Sequence, residues 1–395
     1  MRSYITTQVV IVAALLALLG SSPRAWAGAN PNMPFYGYGA IVANPAYPIV
    51  NENTHFTVTV GNSGDVAATN VQVKLSYNDW GVTFMGWQEI ATVTIPTIPP
   101  GGTATAQYDF IFPNRAHTCV EALITGADEN LNLNDDRGQI NLEVINAGTG
   151  FEYGVPIVNN GDVPLHLQIV GHCEGDAAGT PRRPECQRID EEVELQPGEE
   201  ILVPVLIHFP PGTLPGTVVV FQLDAYNLDA DDPSSPDARN HVVLRIVYET
   251  ARNLKSTALQ QVIAAKTQTN SKPLGNRLDS IAGNISKALD DVSWIDDSSL
   301  QANGGSRVFA QELAAANNLV QILQAPMPVS VKVLLDNALR SLVDADRILA
   351  QTAIVATSGN AAAKSQLANG DASRLTGEYV DAIRSYHAAW KLAMQ

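Results

Sequence analysis

"NSGDV" at residues 62–66 returns as "NNGDV" at 159–163, a shift of 97 positions. At the same offset, "PPGGTATAQYDFIFP" at 99–113 answers "QPGEEILVPVLIHFP" at 196–210. Pro100, Gly101, Phe112 and Pro113 fall on Pro197, Gly198, Phe209 and Pro210. Agreement at one offset in two separate blocks predicts two copies of one domain. The shared residues have structural reasons. Gly reaches left-handed φ in a turn while Asn or Asp bonds its own backbone. Pro-Gly ends one strand and starts the next, because Pro fixes φ and lacks a ladder donor.

Outward from the repeat, "HFTVTV", "NVQVKLSY", "ATVTIPTI", "ATAQYDFIF", "CVEALI" and "INLEVI" are short, β-branched or aromatic, and separated by Gly, Pro, Asn and Asp. Such spacing reads as antiparallel sandwiches rather than a βαβ sheet. After "RIVYET" the pattern changes. Leu335, Leu339, Leu342, Ala345 and Leu349 form one helical stripe, and Leu375, Tyr379, Ile383, Tyr386, Trp390 and Met394 form another. "GG" at 304–305, "APMP" at 325–328 and "NGD" at 369–371 read as breaks between about four helices.

The expected fold class is therefore all-β followed by all-α. It divides into a signal peptide (1–27), two β-sandwiches (28–146 and 147–250), a linker with room for one short helix (251–275), and a helical bundle (276–395). The leader rests on Arg2, the apolar run "VVIVAALLALL", and "AWA" before Gly28. No later segment is apolar enough to span a bilayer, so the mature chain is expected to be soluble and secreted, periplasmic or at the cell surface. The net charge of −16 is uneven: residues 1–250 hold 10 Lys and Arg against 28 Asp and Glu, and residues 251–395 hold 14 against 12. So acidic a front half argues against nucleic acid and anionic membranes as partners.

With "FTVTVGNSGDVAATNVQVKL" at 56–75, the Pro-Gly turn, and "ALITGADENLNLNDDRGQINLEV" at 122–144, the first copy resembles the bacterial cell-adhesion-related modules known as the CARDB type. This resemblance covers about 110 residues. It implies an immunoglobulin-like fold with an acidic, Asn-rich hairpin before the last strand. The second copy departs from the pattern, with "NLDADDPSSPDARN" in place of that hairpin and an inserted loop that contains Cys. "GEYVDAIRSYHAAWKLA" at 377–393 resembles a helix of a tetratricopeptide unit and the final helix of small C-terminal helical modules, but no 34-residue period accompanies it.

Within "GADENLNLNDDRGQ" at 126–139, Asp128, Asn130, Asn132, Asn134 and Asp136 place an oxygen at every second position. Ca²⁺ takes six to eight oxygens. An EF-hand is excluded, because Leu133 stands where its Gly would be and Gln139 where its bidentate Glu would be. Loops at one end of a sandwich remain calcium candidates. Asp229, Asp231 and Asp232, with Asp224 and Asp237 nearby, fall at the corresponding corner of the second copy. The competing reading is that Asp and Asn are there because they tolerate turns.

Cys173 and Cys186 enclose a loop without periodicity, and a disulfide is the expected state in an oxidising compartment. The alternative is a metal site using His172, Cys173, Cys186 and His166, at a spacing foreign to familiar zinc sites. Cys119, in a strand, reads as a buried thiol, and His117 beside it as a histidine at a strand start. There is no G-x-S-x-G, P-loop, H-E-x-x-H or dinucleotide fingerprint. The expected function is that of a non-catalytic adhesion, structural or protein-interaction protein with a protein or cell-surface partner and no cofactor. The alternative is a calcium-dependent module for glycans or peptides, with Trp80 and Trp87 of "NDWGVTFMGW" as aromatic platforms.

Overall fold

The computed structural model describes residues 28–34, 36–79, 82–83, 86–113, 118–142, 144–174, 184–230, 238–357 and 360–395. The expected leader, Trp80, His117, Asp231, Asp232 and Asp237 lie outside the described residues. The described chain is strands first, then six helices.

The first set of strands is β1 (Pro31–Asn32), β2 (Ile41–Asn44), β3 (Asn53–Asn62), β4 (Ala68–Asp79), β5 (Val82–Thr83), β6 (Gln88–Ile98), β7 (Thr103–Ile111), β8 (Thr118–Gly126) and β9 (Arg137–Asn141). The second is β10 (Val144–Ala147), β11 (Gly150–Val158), β12 (Leu165–Cys173), β13 (Glu185–Cys186), β14 (Ile189–Leu195), β15 (Glu200–His208), β16 (Val218–Asn227) and β17 (Arg239–Tyr248). In the first set β3 pairs with β7, and a second sheet runs β6-β4-β8-β9. In the second set β11 pairs with β15, and the other sheet contains the order β14-β12-β16-β17. The pairings therefore repeat in the same order. One strand crosses over: β5 joins the second set by parallel pairing with β11, Val82 against Ile157.

The 97-residue repeat is present bond by bond. Asn62 and Asn159 are both buried. Asn62 Nδ2 donates to the Val66 and Ile98 carbonyls and Asn159 Nδ2 to those of Val163 and Leu195. Their side-chain oxygens accept from Gly64 and Gly161, and their carbonyls from Gly101 and Gly198. Gly101 and Gly198 have φ of +64° and +76°, where an L side chain is strained. Each Asn thus closes one turn from the inside, which is why it recurs.

Alternating burial along β3, β11, β12 and β15 marks faces turned to a core. Phe56, Val58 and Val60 of β3 share one apolar cluster with Val71, Val73 and Leu75 of β4. Phe151, Val155, Leu167, Val205 and Phe221 belong to a second, and Cys119 and Val82 join that one.

The helices are α1 (Ala251–Thr267), α2 (Lys272–Ala288), α3 (Gly305–Leu323), α4 (Val329–Ala356), α5 (Ala361–Leu375) and α6 (Tyr379–Ala393), around a third apolar cluster. A short β-hairpin, β18 (Trp294–Asp296) with β19 (Ser299–Leu300), lies between α2 and α3. The expected linker at 251–275 is corrected. Its first 17 residues form α1, capped by Thr250, whose hydroxyl accepts from Asn253 N. Ala251, Leu254, Ala258, Val262 and Ala265 recur at three and four and are buried. The stripe is built of small residues, and the buried Lys255 interrupts it, so its polar composition hides its helical period. The expected break at 369–371 is corrected as well, since α5 runs through it. A Cβ on Gly370 would lie 2.3 Å from the Tyr386 ring, so this glycine serves close packing of α5 on α6. Both helical stripes expected from the sequence are buried, apart from Leu375 and Met394 at the ends of the second.

Candidate functional site: an apolar sheet face beside an inter-unit cleft

In the register of β11 against β15, Glu152 faces Leu206, Gly154 faces Pro204 and Pro156 faces Leu202. The inner residues Val203, Val205 and Ile207 are buried. The outer ones are apolar too: Leu202 and Leu206 are 64% and 39% exposed. Gly154, diagonally across from Leu202, has no side chain to cover it, whereas an added Cβ would touch Leu202 at 3.4 Å. Where alternation calls for polar residues on the wet face, this strand has none between Glu200 and His208.

Beside this face the sheet meets the helices across a cleft. One cavity of about 450 Å³ is lined by Glu152, Glu185, Leu206, His208, Gln351 and Val355, among others. A second, of about 350 Å³, shares Glu152, Gln351 and Val355 and adds Lys364, Leu367 and Asp371. Its walls are apolar with a few charges, as in sites that take side chains of a ligand.

Arg347 of α4 holds the two sides together. Its guanidinium donates to the Glu152 carbonyl at 2.9 Å, to both Asp371 oxygens at 2.8 and 2.9 Å, and to Gln351 Oε1 at 3.0 Å. It lies 5.5 Å from the ring centres of Phe151 and Tyr153, which stack on each other. Burial opposes its charge, but Asp371 outweighs burial and holds Arg347 above the ordinary range. Tyr386 Oη donates to the same Asp371, and burial, then Asp371, pushes its pKa well up. A parallel link joins Asn146 to Asp344, which also accepts from Arg374.

The two strand sets are joined in the same style. Asp224 is buried and accepts from Tyr36 Oη at 2.8 Å and Arg239 Nη2 at 2.7 Å. Arg137, paired with Glu121, donates to the Arg239 carbonyl, and Gln139 reaches Asn240. His241 beside them is held well below its ordinary pKa by burial and then by Arg239 and Arg137. Asp224 is thus a strut between strand sets rather than a loop ligand, and Gln139, which the EF-hand comparison passed over, belongs to the same joint.

The acidic loops are placed as follows. Asn132 Oδ1 accepts from Asn134 N and caps a 3-10 turn at Leu133–Asp135. Asn130 Oδ1 accepts from Asn132 N, and Asn130 Nδ2 donates to Asp136 Oδ1 at 2.7 Å. Asp136 is buried, and desolvation pushes its carboxyl up to about 6 against the pull of Asn130. Asp128 is exposed and accepts from Thr69 and Asn70, whose bonds hold it below the usual carboxylate range. Asp229 is exposed, and its backbone N–H donates to Asn227 Oδ1, so Asn227 is the residue that caps this turn. Among the described residues, no three His, Cys, Asp or Glu side chains gather as metal ligands would. Cys173 and Cys186 form the disulfide, so both thiols of the alternative metal set are taken. Cys119 is buried outside it, and Trp87 is half-buried against the second core. Among the described residues no helix is long and apolar enough to cross a membrane.

The CARDB family model matches residues 40–135, an immunoglobulin-like module type that points to structural or interaction roles rather than catalysis. The chain is similar to the solved CARDB domain of a Pyrococcus furiosus protein, at 14% identity over 28% of this chain and 86% of that one, with a TM-score of 0.19. It is similar to trypsin-activated α-2-macroglobulin from Escherichia coli at 12% identity and TM-score 0.22, over 89% of this chain and only 34% of that one. It is also similar to the calcium-binding domain CBD12 of CALX1.1, at 14% identity over 49% and 82% of the two chains, with TM-score 0.17. At these scores none of the three assigns a function. No curated protein matches the chain.

Proposed function

We propose that this is an exported, non-catalytic interaction protein. In this reading, immunoglobulin-like sandwiches at 28–146 and 147–250 form a stiff stalk, and a helical unit from 251 onward is fixed to its end. The outer face of β11 and β15, with the adjoining cleft, is where a protein partner at the cell surface docks. The observation that carries this is the exposure of Leu202 and Leu206 on a strand that is apolar on both faces. Apolar surface of this kind, beside a cleft with a charged margin, is the anatomy of an interface centre with its rim. The strongly perturbed groups described above support the reading from the other side. Arg347, Tyr386 and His241 are packed into joints between units, where they give rigidity rather than proton transfer.

Charge sets the partner's chemistry. Glu152, Glu185 and Glu200 are exposed around the face and cleft, in the acidic part of the chain. A partner with an apolar centre and a basic rim complements them. The test is retention of cells, matrix or envelope proteins by the immobilised mature chain. Retention weakened by salt supports the reading, and no retention contradicts it.

A second reading, calcium-dependent binding of a glycan or peptide, finds support in Asp128, an exposed loop carboxylate held ionised by Thr69 and Asn70. It needs further oxygens around that group.

A further inference from the structure

We propose that Lys255 and Asp346 join in an intramolecular isopeptide bond, promoted by Glu312, at the centre of the helical unit. Lys255 lies on α1, Glu312 on α3 and Asp346 on α4, and all three side chains are fully buried. Lys255 Nζ stands 3.0 Å from Asp346 Oδ1 and also contacts Glu312 Oε1. One helical turn away, Ala258, Ala316 and Leu342 belong to the apolar core, and the Trp294 ring centre lies 5.8 Å from Nζ. The sequence gives no reason for a lysine in the middle of the small-residue stripe of α1, and the structure pairs it with two acids from two other helices.

Three features make this more than an ion pair. First, one ammonium faces two carboxyl groups. Glu312 Oε2 and Asp346 Oδ2 receive no hydrogen bond from any other group among the described residues. A proton shared between the two carboxyls satisfies both. Burial, and next the charge on Asp346, holds Glu312 well above the ordinary range, which favours Glu312 as the carrier of that proton. Second, the site then has no net charge. Moving the Lys255 proton to Asp346 turns an ion pair into a neutral amine beside a neutral carboxylic acid, and low polarity favours that exchange. Burial opposes the ammonium, while Asp346 and Glu312 outweigh burial. The resting state is thus the ion pair, and the neutral pair is a minor state that reacts slowly. Third, the reacting atoms are held in contact, and effective molarities of roughly 10⁵ M and above are reached by well-oriented intramolecular partners.

The step balances without any co-reactant. The Nζ lone pair of neutral Lys255 attacks Cγ of protonated Asp346 and forms the C–N bond. Glu312 gives its proton to the departing hydroxyl, which leaves as water when the C–O bond breaks. Glu312 then recovers a proton from the nitrogen. Amine and acid become an amide and one water, and Glu312 ends as it began. The product ties α1 to α4 across 91 residues of chain. A covalent tie between the first helix after the strands and the longest helix prevents the unit from being drawn out under load.

Intact mass spectrometry of the full chain, purified, reduced and denatured, tests this without reference to any partner. The expected mass falls short of the sequence mass by one water. A tryptic digest should also yield a branched peptide containing Lys255 and Asp346, uncut after Lys255. Glu312→Gln and Lys255→Met should restore the full mass. A wild-type chain at full sequence mass would overturn the proposal. A water loss that maps to any other pair, such as a cyclised Asp, would overturn it equally.

Discussion

Arg347 of α4 donates at 2.9 Å to the backbone carbonyl of Glu152, a residue of β11 that lines both cavities of the cleft. A helix thereby grips the strand that presents the apolar face. Because the same guanidinium is forked onto Asp371 of α5, the sheet, α4 and α5 move as one.

Arg347→Met should therefore unfold the chain early and loosen the cleft. The substitution strands the Asp371 carboxylate, 19% exposed, and removing one partner of a buried pair costs about 3–5 kcal/mol. Denaturant unfolding checks the loss. Asp371→Asn, which leaves a neutral acceptor, should cost less.

Asp136 supplies a pH dependence whose sign follows from its folded pKa of about 6, raised by desolvation above its unfolded value of roughly 4. A raised acid pKa means that the folded state holds the proton more tightly. The stability it contributes is full below the unfolded pKa and is lost as pH rises through about 6. Asp136→Asn removes that term, so the variant should gain on wild type between roughly pH 4 and 6, by on the order of 3 kcal/mol. Unfolding curves for both chains across that range read the difference. A constant gap would refute it.

The disulfide between Cys173 and Cys186 closes 13 positions of chain. Replacing both by Ser should cost about 3 kcal/mol in the chain-entropy account. The cost should appear as a lower urea midpoint, and reductant should produce the same drop in wild type and none in the variant.

For the Asn-rich loop, turn formation and ion binding give different outcomes. The side-chain oxygens of Asn130 and Asn132 already accept backbone N–H bonds. Millimolar calcium is accordingly expected to leave the thermal midpoint where chelator leaves it. A calcium-dependent rise would transfer support to the second reading.

The strand portion was legible because its signals are local. Asn62 and Asn159 recur because each closes the same turn from inside, and a turn announces itself in five residues. The stripes of α4 and α6 were legible for a similar reason, large apolar side chains at helical spacing. α1 was not, because Ala251, Ala258 and Ala265 are weak markers and Lys255 looks solvated until its two acids are brought in from 57 and 91 positions away. Gly370 misled in the same way: its meaning lies in the Tyr386 ring, on another helix. The candidate face had a visible sign that alternation alone overlooks. "ILVPVLI" at 201–207 is apolar at both phases, while only one phase has a core to enter.

The most direct test of the interaction reading compares wild type with a Leu202→Asp, Leu206→Asp variant. Both positions are exposed, so the variant is expected to fold with an unchanged unfolding midpoint. Each immobilised chain is challenged with intact cells and solubilised envelope proteins. Retention by wild type that falls about tenfold or more in the variant, the scale of losing an interface anchor, is the expected result. Equal retention by both chains would show that this sheet face is not where the partner docks.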